Sequence, residues 1–343
     1  MRPSTGATRP PVLMTMGDPA GIGPEIVLAA AARRAERWRD LVVVGDLGVM
    51  RAAAERLSRQ VDWPVPPVCA WAGRRVADAV AVWQAGAPAT TLPPLGQVSA
   101  QAGRMAAQAI ELAARQVLAG AGRALVTAPI HKEALAAAGI GHPGHTEFLQ
   151  ALAAEYRGCR VDELPVRMML STPGLRTVLV SIHVALREAI ETLSTDGVLQ
   201  TVLITDRSLR IEGRRPRIAV AGLNPHAGEG GLFGREEIDV IAPAVAQARQ
   251  RGVDVSGPYP PDTVFMRARQ GAFDVVVAMY HDQGLIPVKL LGLAHGVNTT
   301  LGLPFVRTSP DHGTAFDLAG TGRAEPDSLL AAWDAALEMS VVD

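Results

Sequence analysis

Three histidines follow directly on apolar, strand-like runs: His183 in Ser-Ile-His, His226 in Asn-Pro-His-Ala-Gly-Glu and His281 in Tyr-His-Asp-Gln. Taken singly, an imidazole is a surface or satisfied core side chain. If the strands before them are neighbours, the three rings converge on one edge. Three nitrogen ligands with an open position suit a catalytic rather than a structural divalent ion, zinc or a similar metal. Glu229 and Asp282, beside two of them, can orient the rings. The spacing lacks the local regularity of HExxH, so the reading depends on strand adjacency. A second group, His145 with Thr146, Lys289 and Arg307, can bind carboxylate or phosphate oxygens, arginine through a planar fork and lysine as a point charge. The plain alternative is that Lys289 and Arg307 pair with Asp282 or Asp311 as exposed ion pairs. Residues 280–320 also hold Asn298, His312 and Asp317 between glycines and prolines. Polar groups among apolar ones must be paired or must hold something. The chemistry that fits is metal-assisted oxidation of a hydroxyl group.

Stepping polar groups out to one edge takes a scaffold of strands and helices. The run at 12–16 ends in GDPAGIGPEIV, where Gly17, Gly21 and Gly23 permit a tight loop and Pro24 suits a first helical turn. Its glycine spacing is neither GxGxxG nor a Walker loop. Apolar runs at 41–44 and 124–126 repeat the pattern, and Ser99 caps a helix over 99–119 with Ile110, Ala113, Ala114 and Val117 on one stripe. Strands are predicted at 166–170, 176–181, 217–220 and 273–278, with helices ending near Tyr156 and Arg251. The proline-rich section 63–94 reads as connector and edge structure. The class is α/β, with a largely parallel sheet covered on both faces and ligands at the carboxyl ends of its strands.

A chain of 343 residues exceeds one compact core, so two domains are expected. With 48% hydrophobic and 20% charged residues it reads as soluble and globular. The 33 basic and 34 acidic side chains leave a net charge of −1, so no global field recruits nucleic acid or membrane, and an anionic ligand needs local groups. Cys69 and Cys159 offer neither a disulfide framework nor a thiolate zinc site, which fits a reducing cytoplasm. The basic amino terminus lacks the apolar stretch of a secretory signal, and no apolar run is long enough for a bilayer.

The motifs MTMGDPAGIGPE, TAPIHKEAL, GHTEF, LNPHAGEGG, YHDQGL and GVNTTLGLPFVRTSPDHGTAFDLAG run nearly the whole chain. Together they resemble the 4-hydroxythreonine-4-phosphate dehydrogenase family of pyridoxal phosphate biosynthesis. Two of them are also similar to signatures of isocitrate and isopropylmalate dehydrogenases. The resemblance implies two α/β/α domains with a cleft between them: residues 1–130 plus 296–343 carrying the cofactor loop, and residues 131–295 carrying the metal histidines and the dimer contact. It implies a homodimer whose subunits share one divalent ion (zinc, magnesium or cobalt) on His183, His226 and His281. It places substrate on His145, Thr146, Lys289, Asn298 and Arg307, and NAD or NADP along His312, Gly313, Thr314 and Asp317. The implied reaction oxidises 4-phosphohydroxy-L-threonine, with Lys289 or Asp262 moving the hydroxyl proton. The segment SIHVALREA departs from the Thr-His-(Ile/Leu)-Pro-Leu pattern of that family. It points to the alternative of a relative acting on D-threonate or D-erythronate 4-phosphate, or on an aromatic cis-dihydrodiol dicarboxylate.

Overall fold

Short apolar runs become strands here because both of their faces are covered. Val12–Thr15, Leu41–Gly45, Ala124–Thr127, Ile218–Ala221 and Val275–Ala278 are buried along their whole length, as interior parallel strands are. The computed structural model describes residues 9–340 apart from 75, 211–213 and 293–294. In chain order the elements are β1 (Val12–Thr15), α1 (Gly23–Ala32), β2 (Leu41–Gly45), α2 (Leu47–Leu57), β3 (Val68–Ala70), β4 (Val80–Gln84), α3 (Ala100–Leu118), β5 (Ala124–Thr127), α4 (Lys132–Ala137) and α5 (His145–Arg157). Next come β6 (Arg167–Thr172), β7 (Leu175–Leu179), α6 (Leu186–Glu191), α7 (Thr195–Ser208), β8 (Ile218–Ala221), α8 (Ala242–Gln250), β9 (Val255–Tyr259) and α9 (Pro261–Arg269). The chain ends with β10 (Val275–Ala278), α10 (His281–Leu290), β11 (Val297–Leu301), β12 (Val306–Pro310) and α11 (Asp327–Met339). Among the described residues no helix is long and apolar enough to cross a membrane.

The chain divides into two units, Met1–Leu164 with Pro304–Ser340, and Pro165–Leu303. The first unit is discontinuous, and the chain divides after Leu164 and after Leu303, where the expected divisions were at 130 and 295. The reason is packing: α4 and α5 lie against α3 and stay with the first unit, while β11 pairs with β6 and stays with the second.

In the first unit the strands run β3-β4-β2-β1-β5-β12, and every pair is parallel. Section 63–94 is more than connector and edge, since β4 is buried at Val80, Ala81 and Val82 and pairs on both sides. Helix α3 starts where expected, its cap Ser99 Oγ accepting from Ala102 N at 3.1 Å.

In the second unit the order is β11-β6-β7-β10-β8-β9. Within the largely parallel arrangement that was expected, two pairs of this unit, β11–β6 and β6–β7, are antiparallel. Pro173-Gly174 makes β6 and β7 a hairpin, with Gly174 at φ +86°, a conformation that favours glycine. The other three pairs are parallel. The chain leaves β8 outward to β9 and returns to β10 on the opposite side of β8, a reversal that opens a crevice at the carboxyl ends of β8 and β10. Leu179, Val276, Leu285 and Val288 form part of the core beneath it, each contributing roughly 1.5–3 kcal/mol. At the opposite end of these strands Asp274 accepts from Arg217 N at 2.8 Å and from its guanidinium at 3.1 and 3.0 Å. The Arg217 guanidinium pulls the carboxyl down to about 2.

Candidate active site

The strands that precede the three histidines lie side by side, in the order β7, β10, β8, and run parallel. Their carboxyl ends therefore open on one edge of the second unit's sheet. His183 follows β7, His226 follows β8, and His281 is the first residue of α10. Ser181 draws the first and third together, donating from N and Oγ to Met279 O at 3.3 and 3.0 Å. The rings of His183 and His281 stand 5.6 Å apart between centroids, near enough for both to reach one ion through nitrogens at about 2.0–2.1 Å.

The carboxylates beside the rings match that role. Asp282 Oδ1 lies 2.7 Å from His281 Nδ1, and Glu229 Oε2 lies 3.3 Å from His226 Nδ1. An imidazole that donates Nδ1–H to a carboxylate presents the lone pair of Nε2, the form in which histidine binds a metal. This donor set suits a divalent ion. Within one chain, among the described residues, no three His, Cys, Asp or Glu side chains gather closely enough to hold one. His226 instead sets its ring 6.1 Å from that of Phe233, with its side chain 68% exposed.

The backbone that presents His226 is strained. Its turn, Pro225–Gly231, carries positive φ at His226 (54°), Ala227 (53°), Gly228 (81°), Glu229 (43°) and Gly230 (67°). Each non-glycine residue there costs roughly 1–2 kcal/mol. Such strain persists where the surroundings over-determine it, and it clusters at functional sites. Gln283 ties this loop to that of His281: its Oε1 accepts from Met279 N and its Nε2 donates to Gly222 O, both at 2.7 Å.

The residues expected to bind substrate divide between the units. Lys289, in the last turn of α10, and Asn298, in β11, belong to the second. So does Asp262, exposed in the first turn of α9. His145 and Thr146 open α5, and Arg307 lies in β12, all in the first unit. Arg307 is 3% exposed, and its Nε and Nη2 donate to Thr127 Oγ1 at 3.2 and 2.7 Å. It is thus no exposed ion pair. Burial lowers the guanidinium to about 10 while the charge of Glu147 opposes the shift, so it remains a cation at neutral pH.

Burial, and then the charge of Arg307, hold His145 well below the usual 6.5. The ring is neutral, and its Nε2 is buried without a partner among the described residues. An unmet buried donor or acceptor costs about 1–3 kcal/mol, which a ligand atom here would offset. A pH dependence follows. Below about pH 6.5 the unfolded chain takes up a proton that the folded chain refuses, so stability falls with pH by up to ~1.4 kcal/mol per unit. His145→Gln is expected to remove this contribution, read as a smaller drop in Tm between about pH 7.5 and about pH 5.5.

The expected cofactor residues lie in the first unit beside the loop that follows β1. Ile22 N donates to Thr314 O at 3.0 Å, and His312 Nδ1 lies 3.0 Å from Gly313 O. A Cβ on Gly21 would come within 2.9 Å of Thr314 Cβ and O, so only glycine allows this approach. The Phe316 ring stacks on His131 at 4.7 Å. Asp317, next in the chain, completes the segment. In the loop after β1, Asp18 is buried, and burial raises its carboxyl above the usual range, against the hydrogen bond from Ala20 and the charge of His131.

A family model described as pyridoxal phosphate biosynthetic protein PdxA matches residues 37–336. The chain belongs to the PdxA family. The 4-hydroxythreonine-4-phosphate dehydrogenase of Beijerinckia indica is 52% identical over 332 residues, 96% of this chain and 95% of that protein. The D-threonate 4-phosphate dehydrogenase of Salmonella typhimurium is 45% identical over 336 residues, 96% and 98% of the two chains. A crystal structure of 4-hydroxythreonine-4-phosphate dehydrogenase from Klebsiella pneumoniae superimposes with a TM-score of 0.86 at 43% identity, covering 98% of this chain and 100% of that one. As a PdxA member the protein is an oxidoreductase with the mixed α/β fold read from its sequence. Three residues of this PdxA chain went unread in the sequence: Thr127, Gln283 and Glu237. The first two stand inside TAPIHKEAL and YHDQGL, but a hydroxyl or amide gives no sign of which distant group it will meet.

Proposed function

We propose that the protein oxidises 4-phosphohydroxy-L-threonine with NAD or NADP and a divalent ion, zinc, magnesium or cobalt. The product, 2-amino-3-oxo-4-phosphooxybutanoate, loses carbon dioxide to give 3-amino-2-oxopropyl phosphate, a step of pyridoxal phosphate synthesis in the cytoplasm. The observation that carries this reading is the pairing of His183 and His281 at the ends of adjacent parallel strands, 5.6 Å apart. His226 supplies the third ligand from a second copy of the chain. In support of that arrangement, exposed apolar side chains crowd the three segments that carry the histidines: Val184 and Leu186, Leu232 and Phe233, Ile286 and Leu290. Leu232 is 74% and Leu290 81% exposed, and apolar groups grouped in this way mark contact surfaces.

His183, His226 and His281 would hold the ion, which when bound would make the substrate's secondary hydroxyl more acidic, and the nicotinamide would supply a hydride acceptor. Arg307, charged and dry, grips an anionic oxygen of the substrate, and neutral His145 offers it a hydrogen bond. Thr146 shares that grip in the first unit, and Lys289 and Asn298 are the second unit's substrate residues. Lys289 or Asp262 takes the hydroxyl proton. His312, Gly313, Thr314 and Asp317 line the cofactor.

The segment after His183 favours a second reading. Val184-Ala185-Leu186 replaces the usual neighbours of that histidine, which suits D-threonate or D-erythronate 4-phosphate or an aromatic cis-dihydrodiol dicarboxylate. A panel of these substrates, each with NAD and with NADP, separates the readings through absorbance of the reduced cofactor. The aminated substrate is expected to give the highest kcat/KM, and a chelator to abolish turnover. A higher kcat/KM on a threonate phosphate supports the second reading, and turnover of none overturns both.

A further inference from the structure

The left-handed turn at His226 is wound around a buried carboxylate. Glu237 is 2% exposed. Its Oε1 accepts from Leu223 N and Asn224 N, both at 2.7 Å, and its Oε2 accepts from Asn224 Nδ2 at 3.0 Å. The second hydrogen of that amide goes to Glu236 Oε2 at 2.7 Å. Four donor contacts thus anchor the two residues that lead into Pro225 and His226. The carboxylate also fills the concave side of the turn: a Cβ on Gly228 would stand 2.8 Å from Glu237 Oε2, and one on Gly222 would stand 3.0 Å from Oε1. Glu237 reaches this place from the first residue of a π-helical turn, Glu237–Ile241, that continues into α8. Single π turns inside helices recur at functional sites. Here the turn aims one acidic side chain at Leu223 and Asn224, fourteen and thirteen residues upstream.

We propose that Glu237 is a positioning residue for His226, holding the left-handed turn so that the imidazole is presented for metal binding without Glu237 itself touching the ion. The inference rests on the reading of His226 as a ligand. It assigns to a carboxylate outside the histidine set the work of over-determining a conformation that His226, Ala227 and Glu229 do not favour.

The test measures divalent-ion affinity of the purified full chain by competition between the protein and a chromophoric chelator for zinc, with a thermal scan of each variant. Glu237→Gln is expected to weaken zinc binding roughly 10–100-fold, the range for residues that orient metal ligands, and raising zinc is expected to restore kcat. Gly228→Ala, which crowds the same carboxylate from the other side, is expected to lower affinity in the same direction and serves where Glu237→Gln does not fold. His226→Ala marks full loss of the ligand. Folded variants with lowered Tm and wild-type zinc affinity overturn the proposal, leaving Glu237 a structural residue only. Wild-type protein that binds no divalent ion, or His226→Ala that binds like wild type, overturns the ligand reading and this inference with it.

Discussion

Replacing His281 with alanine is expected to cut kcat by roughly a thousandfold or more while leaving the fold intact. The magnitude follows from chemistry: a metal Lewis acid supplies several kcal/mol of transition-state stabilisation, and each ~1.4 kcal/mol is a decade in rate. The intact fold follows from position. His281 opens α10, and its side chain is 35% exposed. Alanine is the best helix former, and Leu285 and Val288, which anchor the helix in the core, are untouched. Asp282→Ala is expected to fall between, losing roughly 10–100-fold in metal affinity, because it removes only the acceptor for Nδ1. Metal content by atomic absorption and kcat on the preferred substrate check both. Wild-type metal content and turnover in His281→Ala contradict the ligand assignment.

The second large effect concerns Arg307. In its proposed role of gripping an anionic substrate, loss of this buried charge costs about 2–5 kcal/mol, so Arg307→Met is expected to lower kcat/KM roughly 30- to 4,000-fold. Stability is expected to move the other way or not at all. Desolvation already holds this guanidinium down to about 10, so its burial as a cation opposes folding, and methionine does not carry that cost. Arg307→Lys keeps the charge without the fork and is expected to recover only part of the loss. The split between Tm and kcat/KM is the informative readout. A residue that merely supported β12 would lower both together.

Much of this architecture could be read in one dimension. Residues buried on both faces leave unbroken apolar runs, so Val12–Thr15, Leu41–Gly45 and Val275–Ala278 announce interior strands. Ser99 announces the start of α3, and Pro24 falls in the first turn of α1. The polar loops after the strands were equally plain, since Gly, Asn, Asp and His interrupt apolar runs abruptly. Family membership is written across the whole chain in motifs. Less was legible in Arg167–Thr172 and Leu175–Leu179, whose composition does not say whether a strand pairs parallel or antiparallel.

By itself the sequence determined the interior strands that are unbroken apolar runs, that their ends are polar, and which histidines, lysines and arginines stand there. Only the tertiary structure decided that β10 inserts between β7 and β8, which sets His281 beside His183. It alone decided that Arg307 is buried against Thr127, 180 residues away in sequence, and that Glu237 lies inside the turn at His226. The physical reason is range. Periodicity and turn chemistry act between near neighbours, while strand order, burial of a charge and the partner of a carboxylate are set by contacts between segments whose separation along the chain carries no record of their meeting.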